Sequence, residues 1–293
     1  MSSIFVFPGQ GAQVVGMGAE LYKNNANARA VFDEVNEALG ENLSNIIFNG
    51  PMEDLTLTRN VQPAIMATSV AMFRASELPL ADYVAGHSLG EYTALCVAGA
   101  ISLTDTAKLL RARGDAMQAA VPVGHGLTSV VLGLDADIVR EICDESGCDM
   151  ANDNCPGQIV ISGLKEPVEL ASEKLKAAGA RRVMPLALSA PVHCRAQEKT
   201  MDIMRAELEK VNITTPNAKW ISNKTCTVIE NPDDIKEALV YQITHGVRWR
   251  ESVLEMVNLG ITNATEIGPG NVLSGLISRT TDKIETKKLE ADL

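Results

Sequence analysis

Val84-Ala-Gly-His-Ser-Leu-Gly-Glu-Tyr92 sets a serine, Ser88, inside a G-x-S-x-G pattern. The apolar run Tyr83-Val84-Ala85 before it reads as a buried strand, and the good helix formers of residues 91–98 (EYTALCVA) read as a helix. A strand that turns this sharply into a helix lifts the serine hydroxyl clear of the backbone. It also leaves the following N–H groups at a helix N-terminus, where a developing oxyanion can be held. Gly86 and Gly90 keep the turn free of Cβ clashes. The stretch predicts a nucleophile elbow and makes the chain a candidate for acyl-transfer chemistry.

Working outward, residues 4–7 read as a strand that ends in the turn Pro8-Gly-Gln-Gly11. Helical periodicity follows at Phe32, Val35 and Leu39, closed by Gly40. A helix is expected to begin near Pro63, with Met66, Val70 and Phe73 on one face. Another spans 104–120, with Leu103, Leu110 and Met117 on its apolar stripe. Strands alternating with helices predict an α/β layer fold, α/β-hydrolase-like, with a mostly parallel sheet.

The middle of the chain has a different rhythm. Residues 127–132 read as a strand and 136–145 as a helix. Short strands at 148–151 and 158–162 flank the turn Asn152-Asp-Asn-Cys-Pro-Gly157. Pro167 opens a helix closed by Gly179, and 181–188 is the last strand. The order β-α-β-β-α-β is that of a ferredoxin-like unit. Residues 127–190 are therefore expected to form a small domain inserted into a larger catalytic one made of 1–126 and 191–293. Beyond it, helices are expected over 197–211, 232–243 and 251–259, and strands over 219–222 and 262–267. Gly268-Pro-Gly270 leads into a closing helix, and the last dozen residues, being polar, are expected to fray.

Composition narrows the classes. A chain of 293 residues, 46% hydrophobic and 22% charged, is an ordinary globular protein. It has no apolar run of the roughly 18 residues a membrane span needs. The start, Met1-Ser-Ser-Ile-Phe-Val-Phe-Pro8, has no basic n-region, so a cytoplasmic location is expected. The six cysteines form no C-x-x-C pair, and Cys143 and Cys148 have no second pair or histidine cluster to complete a metal site, so reduced thiols are expected. A net charge of −11 with no basic run beyond Arg181-Arg182 argues against nucleic acid.

A serine nucleophile needs a base, and the chain offers four histidines. His87 adjoins Ser88, where neighbouring side chains diverge. His125 sits between glycines and His245 in a Thr-His-Gly loop. His193 follows Ser189-Ala-Pro-Val192 where the chain leaves the inserted segment, a natural place for a cleft residue, and is the candidate base. Arg113 lies on the apolar stripe with Leu110 and Met117, whereas Arg111 is expected to be solvated. A guanidinium directed inward needs a partner. It either makes an internal salt bridge or clamps a substrate carboxylate with its planar fork. Gly9-Gln-Gly11 lacks the spacing of a dinucleotide fingerprint and the Lys-Ser/Thr of a P-loop.

The chain resembles the malonyl-CoA:acyl-carrier-protein transacylase family end to end. The resemblance rests on Phe7-Pro-Gly-Gln-Gly11-Ala-Gln13, Asn60-Val-Gln62-Pro63-Ala64, Gly86-His-Ser88-Leu-Gly-Glu-Tyr92 and Arg113-Gly114-x-x-Met117. It continues in Pro156-Gly-Gln158-x-Val-Ile-Ser-Gly163, Ser189-x-Pro-x-His193 and Gly268-Pro-Gly270-x-Val-Leu. The resemblance implies Ser88 as nucleophile and His193 as base, in a dyad whose histidine is oriented by a backbone carbonyl expected near His245. It implies an oxyanion hole from the backbone N–H groups of Gln10 and Leu89, and Arg113 as clamp for the malonyl carboxylate. Gln62 and Asn154 match cleft positions that contact substrate. No bound cofactor or metal is implied; malonyl-CoA and a phosphopantetheinylated acyl carrier protein are the substrates of a ping-pong cycle.

Two positions depart from the family's usual pattern. Val192 stands before the histidine in place of Phe or Ser, and Gly246 replaces a proline, which is expected to loosen the loop that orients His193. Competing readings are a serine thioesterase or esterase with an acidic third triad member, a non-catalytic carrier-docking protein, and a free-standing polyketide-pathway acyltransferase. Because carrier proteins of this kind are acidic, docking is expected to use a local basic rim drawn from Lys174, Lys176, Arg181, Arg182, Arg195 and Lys199.

Overall fold

Among the described residues ten strands carry the architecture: β1 (Ser2–Phe7), β2 (Tyr83–Gly86), β3 (Gly126–Leu132), β4 (Asp149–Cys155), β5 (Gln158–Leu164), β6 (Arg182–Pro185), β7 (Lys219–Ile221), β8 (Val228–Ile229), β9 (Ile261–Glu266) and β10 (Glu285–Lys288). The structure, a computed structural model, describes residues 2–290. Six strands form one sheet in the order β10-β9-β1-β2-β7-β8, parallel throughout except for the β7–β8 pair. Along β1, Ile4 and Val6 join one buried cluster while Phe5 and Phe7 join another. Successive side chains of a strand point to opposite faces, so this alternation means that helices cover both sides of the sheet.

The remaining four strands form a separate antiparallel sheet in the order β4-β5-β3-β6. With the helices Ala136–Ser146 and Lys165–Ala177 this gives the β-α-β-β-α-β order of a ferredoxin-like unit. One face, through Val131, Ile159 and Ile161, packs on those two helices. The other, through Val130 and Val160, packs with Met117 of the helix Leu103–Ala120 and with Ala190 and Val192. That second contact seats the antiparallel sheet over the elbow.

Several local expectations are corrected. The helix expected near Pro63 begins at Thr58 and carries the proline inside it. Pro63 has no N–H to give the Arg59 carbonyl. Nη1 of Arg111 donates to that carbonyl at 2.8 Å and to Asn60 Oδ1 at 2.8 Å, and the guanidinium also pairs with Glu41. Arg111 is thus a helix brace and not a solvated residue. β4 runs on through Asn152 and Asn154 to Cys155, so the turn is only Pro156-Gly157. Two register shifts in β4 absorb the polar residues that mimic a turn in sequence. β6 stops at Pro185, which frees 186–188 to line the cavity described below. Residues 285–288, expected to fray, pair in parallel with β9 as a charged edge strand; residues 291–293 of that stretch lie outside the described residues. The short helices Ala19–Asn24, Leu43–Asn49 and Met52–Thr56 were not anticipated.

Candidate active site

The elbow is built by close backbone approach. A Cβ on Gly86 would lie 1.9 Å from the Gly90 carbonyl carbon, and one on Gly90 2.2 Å from the Phe7 carbonyl oxygen. No side chain fits at either position. Between them Ser88 adopts the left-handed region with φ 56°, a strain of about 1–3 kcal/mol that surrounding contacts must hold. Asn223 holds it: its Oδ1 accepts from Ser88 N at 3.1 Å and its Nδ2 donates to Gly86 O at 2.8 Å.

His193, also left-handed with φ 51°, arrives from the chain that follows β6 and the cavity wall. Its Nε2 lies 2.7 Å from Ser88 Oγ, and its Nδ1 lies 2.6 Å from the carbonyl of Gln242. A carbonyl can only accept, so Nδ1 carries the proton and Nε2 presents a lone pair to the serine hydroxyl. Burial, then the charge of Arg113, pushes the imidazole down to about 3, so it is neutral at ordinary pH. The expected orienting carbonyl at His245 is corrected to that of Gln242, with the His245 backbone a lesser contributor. Gln242 caps the end of the helix Pro232–Tyr241, where terminal carbonyls are left without helical partners. The His245 ring stacks on Tyr241.

Arg113 is 2% exposed, on the helix Leu103–Ala120. Its Nη1 donates to Gln62 Oε1 at 2.5 Å and its Nη2 to Gln242 Oε1 at 2.7 Å, with Nη2 3.3 Å from Ser88 Oγ. The internal salt bridge, one of its two sequence readings, does not form among the described residues: both anchors are neutral amide oxygens. Nε has no partner among the described residues. Burial lowers the guanidinium's pKa, and the neighbouring Tyr92 and Glu91 oppose this.

A cavity of about 600 Å³ opens between the two sheets onto Ser88, His193 and Arg113. Gln10 and Leu89 line it, and neither backbone N–H has an acceptor among the described residues. Asn154 lines it too and faces Nε2 of His87 at 2.9 Å. Burial lowers the His87 pKa. Val192 forms part of the wall. Gln62 does not reach the cavity; it is fully buried behind Arg113 and holds it from the far side. Among the described residues no cluster of His, Cys, Asp or Glu is placed to hold a metal ion.

Gly246 is tightly held, contrary to the loosening expected. A Cβ there would lie 2.4 Å from the Met150 carbonyl oxygen. On either side of this contact, Val247 exchanges hydrogen bonds with β4, donating to Ala151 O at 2.8 Å and accepting from Asp153 N at 2.9 Å. Arg250 adds a salt bridge to Asp153 at 2.8 Å.

Residues 4–291 match the acyl transferase domain family. The chain belongs to that family. The malonyl CoA-acyl carrier protein transacylase of Bacillus subtilis is 44% identical over 295 residues, covering 98% of this chain and 93% of the relative. Its counterpart in Escherichia coli strain K12 is 39% identical over 292 residues, covering 97% and 94%. Among solved structures, an acyl-carrier-protein-S-malonyltransferase from Bartonella henselae aligns with TM-score 0.95 at 46% identity, over 99% of this chain and 95% of that one. A malonyl-transacylase in complex with its type II polyketide acyl-carrier protein aligns with TM-score 0.95 at 37% identity, over 98% and 96%.

In this acyl transferase the structure brings the elbow, His193 and Arg113 together, with Asn154 on the same cavity. Sequence reasoning missed Gln242, Asn223 and Glu91, which together buttress the site. The one available signal was Glu91, an acid next to the elbow in a helix with no other charged residue.

Proposed function

We propose that this acyl transferase moves the malonyl group from malonyl-CoA to the phosphopantetheine thiol of an acyl carrier protein, supplying fatty acid synthesis. The observation that carries the reading is the position of Ser88 Oγ, 2.7 Å from His193 Nε2 and 3.3 Å from Arg113 Nη2. A nucleophile, a neutral base and a buried cation meet at one atom. A guanidinium held by neutral oxygens keeps its charge for a substrate carboxylate, which selects malonyl over acetyl.

In the first half-reaction Ser88 Oγ attacks the thioester carbonyl while His193 Nε2 takes its proton. The oxyanion of the tetrahedral intermediate accepts from the N–H groups of Gln10 and Leu89, offsetting the charge on the imidazolium. The C–S bond then breaks, His193 returns the proton to the CoA thiolate, and Ser88 carries the malonyl ester. In the second half the carrier thiol gives its proton to His193 and attacks that ester. Collapse releases malonyl-carrier and restores the Ser88 hydroxyl with the same proton.

The unit 127–190 acts in this reading as an inserted domain that roofs the cavity, and the reaction takes place in the cytoplasm. No described helix is long and apolar enough to cross a membrane. A thioesterase or esterase triad calls for a carboxylate on the histidine, and Nδ1 of His193 meets a backbone carbonyl instead. Of the six basic residues expected at the docking rim, Lys174 is paired with Glu145 and Arg195 with Asp149. Lys176, Arg181, Arg182 and Lys199 are exposed without an ion pair among the described residues, and these serve the acidic carrier. The test is product analysis with malonyl-CoA and a phosphopantetheinylated carrier. Malonyl-carrier is expected to form in step with released CoA, faster with a fatty-acid carrier than with a polyketide one. Free malonate formed in step with CoA, with no malonyl-carrier, would overturn the reading.

A further inference from the structure

Glu91 has no solvent exposure and sits in the first turn of the helix Gly90–Val97, directly behind the elbow. The mechanism above gives it no task, yet a buried carboxyl is costly unless its contacts require it. Both of its oxygens accept from N–H groups, Oε1 from Asn223 N at 2.6 Å and Oε2 from Gln242 Nε2 at 2.5 Å. The same Gln242 amide makes two further bonds. Its Nε2 donates to Ser88 O at 2.9 Å, and its Oε1 accepts from Arg113 Nη2 at 2.7 Å.

A glutamine amide can be turned end for end with almost no change of shape, so only its partners decide which way it points. Turned over, Gln242 would aim an NH₂ group at the Arg113 guanidinium and an oxygen at a carboxyl and a carbonyl. Three contacts therefore favour a single orientation, and Glu91 provides the one acceptor among them that is not backbone. We infer that Glu91 is a positioning residue for recognition of the carboxylated acyl group, holding the Gln242 amide so that its oxygen faces Arg113. Burial pushes the Glu91 carboxyl up to about 8, against the pull of its two N–H donors and of Arg113, so the arrangement sets a hydrogen-bond acceptor behind Gln242 without bonding a carboxylate to Arg113. A carboxylate bonded directly to the guanidinium would compete with the carboxylate of the substrate, whereas the Gln62 and Gln242 oxygens fix the plane of the guanidinium and leave its charge available.

The inference rests on the malonyl-transfer reading, and the test separates the two. Second-order rate constants for acyl-enzyme formation from malonyl-CoA and acetyl-CoA are measured for the wild type, for Glu91→Gln and for the isosteric swap Glu91→Gln with Gln242→Glu. A wild type that does not favour malonyl removes the parent reading. With a selective wild type, Glu91→Gln is expected to lower the malonyl-to-acetyl ratio on the order of tenfold, the scale of one charge-assisted hydrogen bond. A purely structural role would slow both substrates alike, so an unchanged ratio in the folded variant overturns the inference. The swap keeps the shape and the buried carboxyl–amide pair, which guards against a single variant that does not fold. Its carboxylate faces Arg113, so its ratio falls as well; a swap as selective as the wild type also overturns the inference.

Discussion

Ser88 and His193 both adopt left-handed backbone conformations, and a third residue, Gln242, ties them together through its carbonyl and its side chain. Because burial keeps the imidazole unprotonated down to about pH 3, kcat/KM for malonyl-CoA is expected to stay level as pH falls from about 7 to 5. An acid limb near the ordinary histidine value of about 6.5 would contradict the assignment of a base that is neutral in the free enzyme. Replacing the base, His193→Ala, is expected to slow acyl-enzyme formation by about 10²- to 10⁴-fold, read by quenched-flow mass analysis. Arg113→Met is expected to lower malonyl loading by at least about tenfold relative to acetyl loading. Equal effects on the two substrates would remove Arg113 from acyl selection.

At the scale of elements, the site hangs on backbone junctions: the elbow after β2, the end of the helix Pro232–Tyr241, and the contact of Gly246 and Val247 with β4. The Met150 carbonyl under Gly246 belongs to a strand and cannot swing aside. Gly246→Ala is therefore expected to destabilise by about 1–3 kcal/mol, seen as a fall of a few degrees in Tm. An unchanged Tm would show that the junction is slack. The elbow was legible in sequence because its determinants are adjacent: a strand, two glycines, a serine and a helix start within a few residues. Arg113 was legible from its place on an apolar helix face. The partners of both were not. Gln242 reaches Glu91 across 151 positions and Arg113 across 129, and no periodicity encodes a contact between elements so far apart in the chain. For the same reason Arg111 reads as a surface residue until the proline-containing helix beside it is seen to lack one backbone donor.

For the whole molecule, the cavity exists because an antiparallel sheet is seated over the C-terminal end of a parallel strand, leaving His193 and Arg113 buried and Ser88 half-buried at the cavity. Burial of His193 ties stability to pH. His193 binds no proton in the folded state until about pH 3, whereas the unfolded chain protonates it below about 6.5. Between those values the unfolded state holds more protons at this residue, so the His193 contribution to stability falls as pH falls, while Glu91, pushed up to about 8 by burial, contributes in the opposite sense. Denaturant midpoints are expected to drop more steeply between about pH 6.5 and 4 for the wild type than for His193→Gln; parallel curves would contradict the burial account. The net charge of −11 repels an acidic carrier, so Lys199→Glu is expected to raise the carrier KM severalfold while leaving loading from malonyl-CoA intact. The most direct test of the central claim, that Ser88 is a selective carrier of malonyl, is the intact mass of the protein after brief mixing with malonyl-CoA or acetyl-CoA. One malonyl group per chain, mapped to the Ser88 peptide, lost in Ser88→Ala and far exceeding acetyl loading, is the predicted result. No malonyl adduct, or acetyl loading equal to malonyl loading, would contradict it.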